Sequence, residues 1–145
     1  MTSKSTGAPC PFCNPSDERV FVQNELAFAI WDCYPVSPGH TLIIPRQHIS
    51  SWFDANDAER TALFTAVNAA KAVIDERHQP AGYNIGMNCG AVAGQTIFHA
   101  HIHLIPRFTG DVPDPRGGVR HVIPAKANYA LETGAGSSTP NGQVK

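Results

Sequence analysis

The chain has 145 residues, 42% of them hydrophobic, enough for one ordinary domain with a real core and too few for two comfortable ones. With 11 basic against 12 acidic side chains the formal net charge is -1, so no global positive field holds nucleic acid or an anionic membrane surface. The N-terminus has no apolar leader, and no stretch approaches the roughly 18 consecutive apolar residues of a membrane span. The expectation is a cytoplasmic protein that engages neither nucleic acid nor membrane.

Residues 1–18 are rich in Pro, Ser, Thr and Gly and read as an irregular arm that needs an external tie. Within the arm, Cys10 and Cys13 form a Cys-x-x-Cys, which in a reducing compartment points to metal or redox chemistry before a structural disulfide. The apolar, β-prone runs 19–23 and 26–32 flank Asn24 and Glu25, predicting a hairpin with Asp32 at its far end. A loop set by Pro35, Pro38 and Gly39 leads to a third strand over 41–46. A long helix is predicted over 57–77, with Asn56 as N-cap and Glu59 completing a capping box. Its stripe of Leu63, Phe64, Val67, Ala70 and Ile74 is assigned to the core. Gln79-Pro80-Ala81-Gly82 stops the helix, and strands near 83–88 and 98–105 follow, joined by the loop CGAVAGQT. Residues 19–125 make the domain, with 110–125 as surface loop, and the small, polar segment 126–145 is expected to be a disordered tail.

The sixth segment carries the chemistry. On a strand, His99, His101 and His103 would share one face while Phe98, Ala100, Ile102 and Leu104 bury the other. No packing rule or strand propensity calls for three histidines in five residues. Two readings stand at this point: imidazoles as metal ligands, or one imidazole as a nucleophile whose neighbours manage its tautomer and protons.

The run His99-Ala100-His101-Ile102-His103-Leu104-Ile105 resembles the His-φ-His-φ-His-φ-φ signature of the histidine triad family, φ being apolar. Pro38-Gly39-His40-Thr41-Leu42-Ile43-Ile44-Pro45-Arg46-Gln47-His48 is similar to that family's upstream strand, and Asn88 with Gly94-Gln95-Thr96 to its phosphate loop. The resemblance implies an α+β fold: a five-stranded antiparallel sheet with one long helix and a short one, paired into a homodimer with a ten-stranded sheet. Ile105-Pro106-Arg107-Phe108-Thr109-Gly110-Asp111 looks like the branch that hydrolyses diadenosine polyphosphates.

By that resemblance His101 attacks the α-phosphorus of an adenine or other purine nucleotide, and a backbone carbonyl near His40 takes the proton on its other ring nitrogen. His103, Asn88 and Thr96 would donate to the phosphate, which the backbone N–H groups of Gly94, Gln95 and Thr96 cradle. Asp32, with Cys33 beside it, would meet the nucleotide, the carboxylate taking the ribose hydroxyls, and Phe28, Ile30 and Trp31 would contribute to a base pocket. Relatives with the N-terminal cysteine pair imply a structural zinc ion, one per chain, on Cys10, Cys13, His48 and His99. A redox disulfide or inert thiols are the alternatives for that pair. The implied activity is hydrolysis of a diadenosine polyphosphate or adenosine phosphoramidate. Nucleotidyl transfer to a sugar phosphate or other acceptor, a zinc-containing nucleotide binder with little turnover, and a tris-histidine metal enzyme are the alternatives. His78 and His121 are read as surface residues.

Overall fold

A computed structural model describes residues 10–129, which fall into two units, one ending at Thr109 and one beginning at Gly110. In the first unit β1 (Val20–Gln23), β2 (Ala27–Trp31), β3 (Thr41–Pro45), β4 (Gly82–Gly86) and β5 (Ile102–Arg107) form one antiparallel sheet in the order β1-β2-β3-β5-β4. The helix α1 (Asp57–His78) follows β3. Three strands, one long helix and two strands is the expected order. Among the described residues of this unit the short helical pieces are 3-10 turns, at Asp17–Arg19, Trp52–Asp54 and Ala91–Ala93.

Local chemistry accounts for the elements. Asn24 closes the first hairpin: its side-chain oxygen accepts from the N–H groups of Leu26 and Ala27, and its amide donates to the Ala62 carbonyl of α1. The capping box forms, Glu59 N–H donating to Asn56 at 2.8 Å and Asn56 N–H donating to Glu59 at 2.9 Å. At the far end Gln79 ends the helix in the left-handed region, with Pro80 behind it.

Alternation along the strands divides the sheet into two apolar faces. Ala27, Ala29, Ile43, Ile102 and Leu104 pack against Leu63, Ala66, Ala70 and Ile74 of α1. On the other face Phe28, Ile30, Leu42 and Ile44 are covered by Phe12 of the N-terminal arm. Each fully buried Ile or Leu contributes about 1.5–3 kcal/mol, so both faces are needed. Phe64, assigned to the core stripe, is exposed instead, because the buried row runs 63, 66, 70, 74 and Phe64 lies one residue, about 100° of helix rotation, away from it. It leans on Trp52 at 5.4 Å between ring centroids.

The last strand differs from the expected 98–105. It pairs with β3 only from Ile43↔Ile102 onward, and Ala100 N–H donates to the Ile49 carbonyl at 2.7 Å instead of joining the ladder. Residues 97–101 are therefore irregular, and Phe98, expected on the buried face, is exposed. Pro106 is tolerated in a central strand because β3 has ended before reaching it.

In the second unit 3-10 turns occupy Gly118–Val122 and Pro124–Lys126. The Arg120 guanidinium donates to the carbonyls of Lys126 and Ala127 and lies 5.1 Å over the Tyr129 ring, so residues 126–129 of the expected tail carry defined contacts. The expectations for 1–9 and 130–145 lie outside the described residues. Among the described residues no helix is long and apolar enough to cross a membrane.

Candidate active site

The sheet face turned away from α1 carries a row of rings. His48 and His99 lie 4.8 Å apart, Phe12 meets His99 at 6.1 Å and His101 at 5.0 Å, and His103 meets His101 and His40 each at 5.2 Å. The polarity of each partner assigns the tautomers, since a carbonyl only accepts and a backbone N–H only donates.

His101 Nδ1 lies 2.8 Å from the His99 carbonyl, so it carries the proton and Nε2 keeps a lone pair. The carbonyl expected near His40 does not serve. The His40 carbonyl is taken by Asp32 N–H at 2.9 Å in the β2–β3 pairing, and the irregular path of 97–101 turns His99's own carbonyl onto His101.

His99 is fully buried, and its Nε2–H donates to the Pro45 carbonyl at 2.9 Å. Its Nδ1 lone pair therefore faces Cys10 Sγ at 3.4 Å, Cys13 Sγ at 3.6 Å and His48 Nδ1 at 3.1 Å, while Cys13 Sγ is 3.2 Å from His48 Nδ1. All four donor atoms lie within 4.8 Å of one another, close enough to bind one metal ion. A tetrahedron with about 2.3 Å metal–sulfur and about 2.0 Å metal–nitrogen arms has edges of roughly 3.3–3.8 Å, close to the separations here. The donor set, two thiols and two neutral imidazoles with one ring held from behind by a carbonyl, fits such an ion.

At the other end of the row His40 Nε2 is 3.0 Å from His103 Nδ1 and 3.3 Å from Asp32 Oδ2. Burial lowers the proton affinity of His40, against an opposing pull from Asp32. His103 is pushed down to about 4 by burial first and then by the neighbouring His101 and His40, so it is neutral at physiological pH.

The remaining expected residues divide. Asn88 follows the end of β4 by two residues, just beyond the last β4–β5 pair, Gly86↔His103. Among the described residues the Asn88 amide and Thr96 hydroxyl have no hydrogen-bond partner. Two of the three N–H groups of the expected backbone cradle are engaged within the loop: Gly94 N–H donates to the Ala91 carbonyl and Gln95 N–H to the Gly90 carbonyl, because a 3-10 turn followed by Gly94 at φ 100° closes this part of the loop on itself. The Gln95 side chain is likewise engaged, accepting from Gly90 N–H and donating to the carbonyls of Ser50 and Ile97. Asp32 accepts from Tyr34 N–H at 2.8 Å through its first oxygen and faces His40 through the second, and Cys33 is exposed beside it. Phe28 and Ile30 are core residues, Phe28 also lining a cavity with Val20, Gln23 and Arg46, and half-buried Trp31 stacks on Phe21 at 3.7 Å between ring centroids. Sequence reasoning missed Phe12 altogether; its place between two cysteines was the available signal.

Residues 14–110 match the family of the HIT domain. The chain is 37% identical over 97 residues to bis(5'-nucleosyl)-tetraphosphatase [asymmetrical] of Schizosaccharomyces pombe, covering 67% of this chain and 53% of that one. It is 35% identical over 99 residues to AP-4-A phosphorylase of Mycobacterium tuberculosis, covering 66% and 51%. It therefore spans about half the length of each of these relatives. A crystal structure of a Zn-bound histidine triad family protein from Mycobacterium smegmatis superposes with a TM-score of 0.64 at 27% identity, covering 86% of this chain and 96% of that one.

Proposed function

The chain belongs to the HIT domain family, and from that premise we propose that it hydrolyses a nucleoside (poly)phosphate derivative, such as a diadenosine polyphosphate or an adenosine phosphoramidate, at the α-phosphate through a nucleotidyl-His101 intermediate. The observation that carries this reading is the hydrogen bond from His101 Nδ1–H to the His99 carbonyl, which leaves Nε2 as the nucleophilic nitrogen without a separate base. Nε2 forms a bond to phosphorus as the bond to the leaving group breaks. The positive charge that develops on the imidazole is met by the carbonyl dipole behind it. His103, neutral and near its neighbour, donates to a phosphate oxygen, and the unpartnered Asn88 and Thr96 are suited to the same task. Water then attacks the phosphorus, the phosphorus–nitrogen bond breaks with its electron pair returning to Nε2, and the proton of the attacking water passes to solvent as the nucleoside monophosphate leaves.

Transfer to an acceptor other than water is the second reading, favoured by the similarity to a phosphorylase. In both readings zinc is the ion suited to Cys10, Cys13, His48 and His99, one per chain. Four protein ligands would leave it no open position, so it would anchor the arm and take no part in the chemistry. A homodimer is part of the same proposal, supported by the outer edge of β4, which no strand among the described residues covers, and by the exposed Ile85 and Phe64. That none of the four cysteines is paired in a disulfide suits a reducing, cytoplasmic setting.

The test is incubation with a labelled dinucleotide, an alkaline quench that preserves phosphorus–nitrogen bonds, and peptide mass mapping. The label is expected on the peptide carrying His101 and at that residue. An adduct on any other side chain, or full turnover by His101→Ala, overturns the reading.

A further inference from the structure

Asp32, His40 and His103 place one donor atom each within 4.8 Å, the composition of a two-histidine, one-carboxylate metal triad. A single backbone group decides against that use. Val36 N–H donates to His40 Nδ1 at 3.1 Å, so the neutral ring carries its proton on Nε2 and has no lone pair there for an ion. Turning Nε2 into a ligand would set an Nδ1–H against the Val36 N–H, donor facing donor.

The cluster is instead a hydrogen-bond chain with one direction. His40 Nε2–H points at His103 Nδ1 and, slightly further off, at Asp32 Oδ2. His103 Nδ1 must then accept, which leaves its proton on Nε2. The loop that aims Val36 is itself fixed: His40 N–H donates to the Ser37 carbonyl, and the Ser37 hydroxyl to the Pro106 carbonyl at 2.7 Å. Gly39 sits at φ 90°, where a Cβ would come within 2.9 Å of His78 and 3.2 Å of Ile74 and Pro106.

We propose that Asp32 and His40 are positioning residues that act through His103, holding it as the Nε2–H tautomer so that it always presents a donor to the phosphate. This rests on the proposed role of His103 as a phosphate donor. Asp32 fixes His40, its own carboxylate being steadied by Tyr34 N–H, and His40 fixes His103.

The experiment is long-range proton–nitrogen correlation spectroscopy of the full chain at neutral pH, which reports the protonated nitrogen of each imidazole, with steady-state kinetics on the same samples. In the wild type His40 and His103 are both expected as Nε2–H. In His40→Leu, His103 should become a mixture of tautomers and kcat should fall about 10- to 100-fold with KM little changed. His40→Gln, whose amide N–H reaches the place of Nε2, should restore both, and Asp32→Ala should give a smaller loss of the same kind.

Wild-type His103 found as Nδ1–H overturns the proposal whether or not any variant folds. So does a pure Nε2–H tautomer persisting in His40→Leu, or a loss confined to KM. None of these results depends on where a covalent adduct forms, so the positioning role and the nucleophile assignment fail separately.

Discussion

The Nδ1–H of His101 donates to the carbonyl oxygen of His99 at 2.8 Å, while the His99 ring turns the other way, toward Cys10 and Cys13. Two residues apart, one imidazole is oriented by the backbone of the other. The reactive nitrogen and the metal-facing ring are thus parts of one short irregular segment, which makes their behaviour separable by substitution.

Removing the imidazole of His101 by His101→Asn should lower kcat by about 10⁴-fold or more while the far-ultraviolet spectrum is unchanged, since the lost group is the bond-forming one. Turnover of a dinucleotide under saturating conditions measures this. Retention of a tenth of the activity would mean that phosphorus is attacked by something else.

Chelation, or Cys10→Ala with Cys13→Ala, should remove one metal ion per chain and free the loop that seats Phe12 over the second sheet face. Phe12→Ala alone should cost about 3 kcal/mol, because the ring is 5% exposed and its loss leaves a cavity over Phe28 and His101. X-ray fluorescence counts the ion and thermal unfolding reads the stability. An unchanged melting temperature after complete metal loss would rule out the anchoring role.

His103, held at about 4 in the folded chain against about 6.5 unfolded, binds its proton more readily once unfolded. Its share of the pH dependence therefore leaves stability complete above about 6.5 and erodes it as pH falls toward about 4. Chemical-shift titration of the ring protons should put its midpoint near 4. A midpoint above 6 would show the ring to be far better solvated than its burial implies.

Gln95→Leu keeps the size of a side chain that is 4% exposed but strips three hydrogen bonds from the loop between β4 and β5. The Ser50 carbonyl loses its 2.7 Å partner, at a cost of about 1–3 kcal/mol on denaturant unfolding. KM for the nucleotide should rise as the loop loosens. A variant as stable as the wild type would mean that the loop is held by its backbone bonds alone.

Local pattern carried most of the architecture. Asn56 and Glu59 sit three apart at a helix start, Asn24 sits between two β-prone runs, and Pro80 follows a helix end, and each acts within a few residues of itself. Helical spacing alone admits Phe64 to the apolar stripe, and only the sheet beneath α1 decides that a neighbouring row is the buried one. The strand alternation expected from residue 98 begins at Ile102, where β3 first offers a partner.

By itself the sequence determined the inventory: three histidines in five residues, a fourth ahead of the third strand, and a cysteine pair on an arm too polar to order itself. Only the tertiary structure decided what each ring nitrogen does. That depends on single backbone groups the side chains cannot encode: the Pro45 carbonyl for His99, 54 residues away, the His99 carbonyl for His101, and Val36 N–H for the pair His40 and His103. A ring nitrogen is a donor or an acceptor according to what faces it, and what faces it is set by the path of the folded main chain.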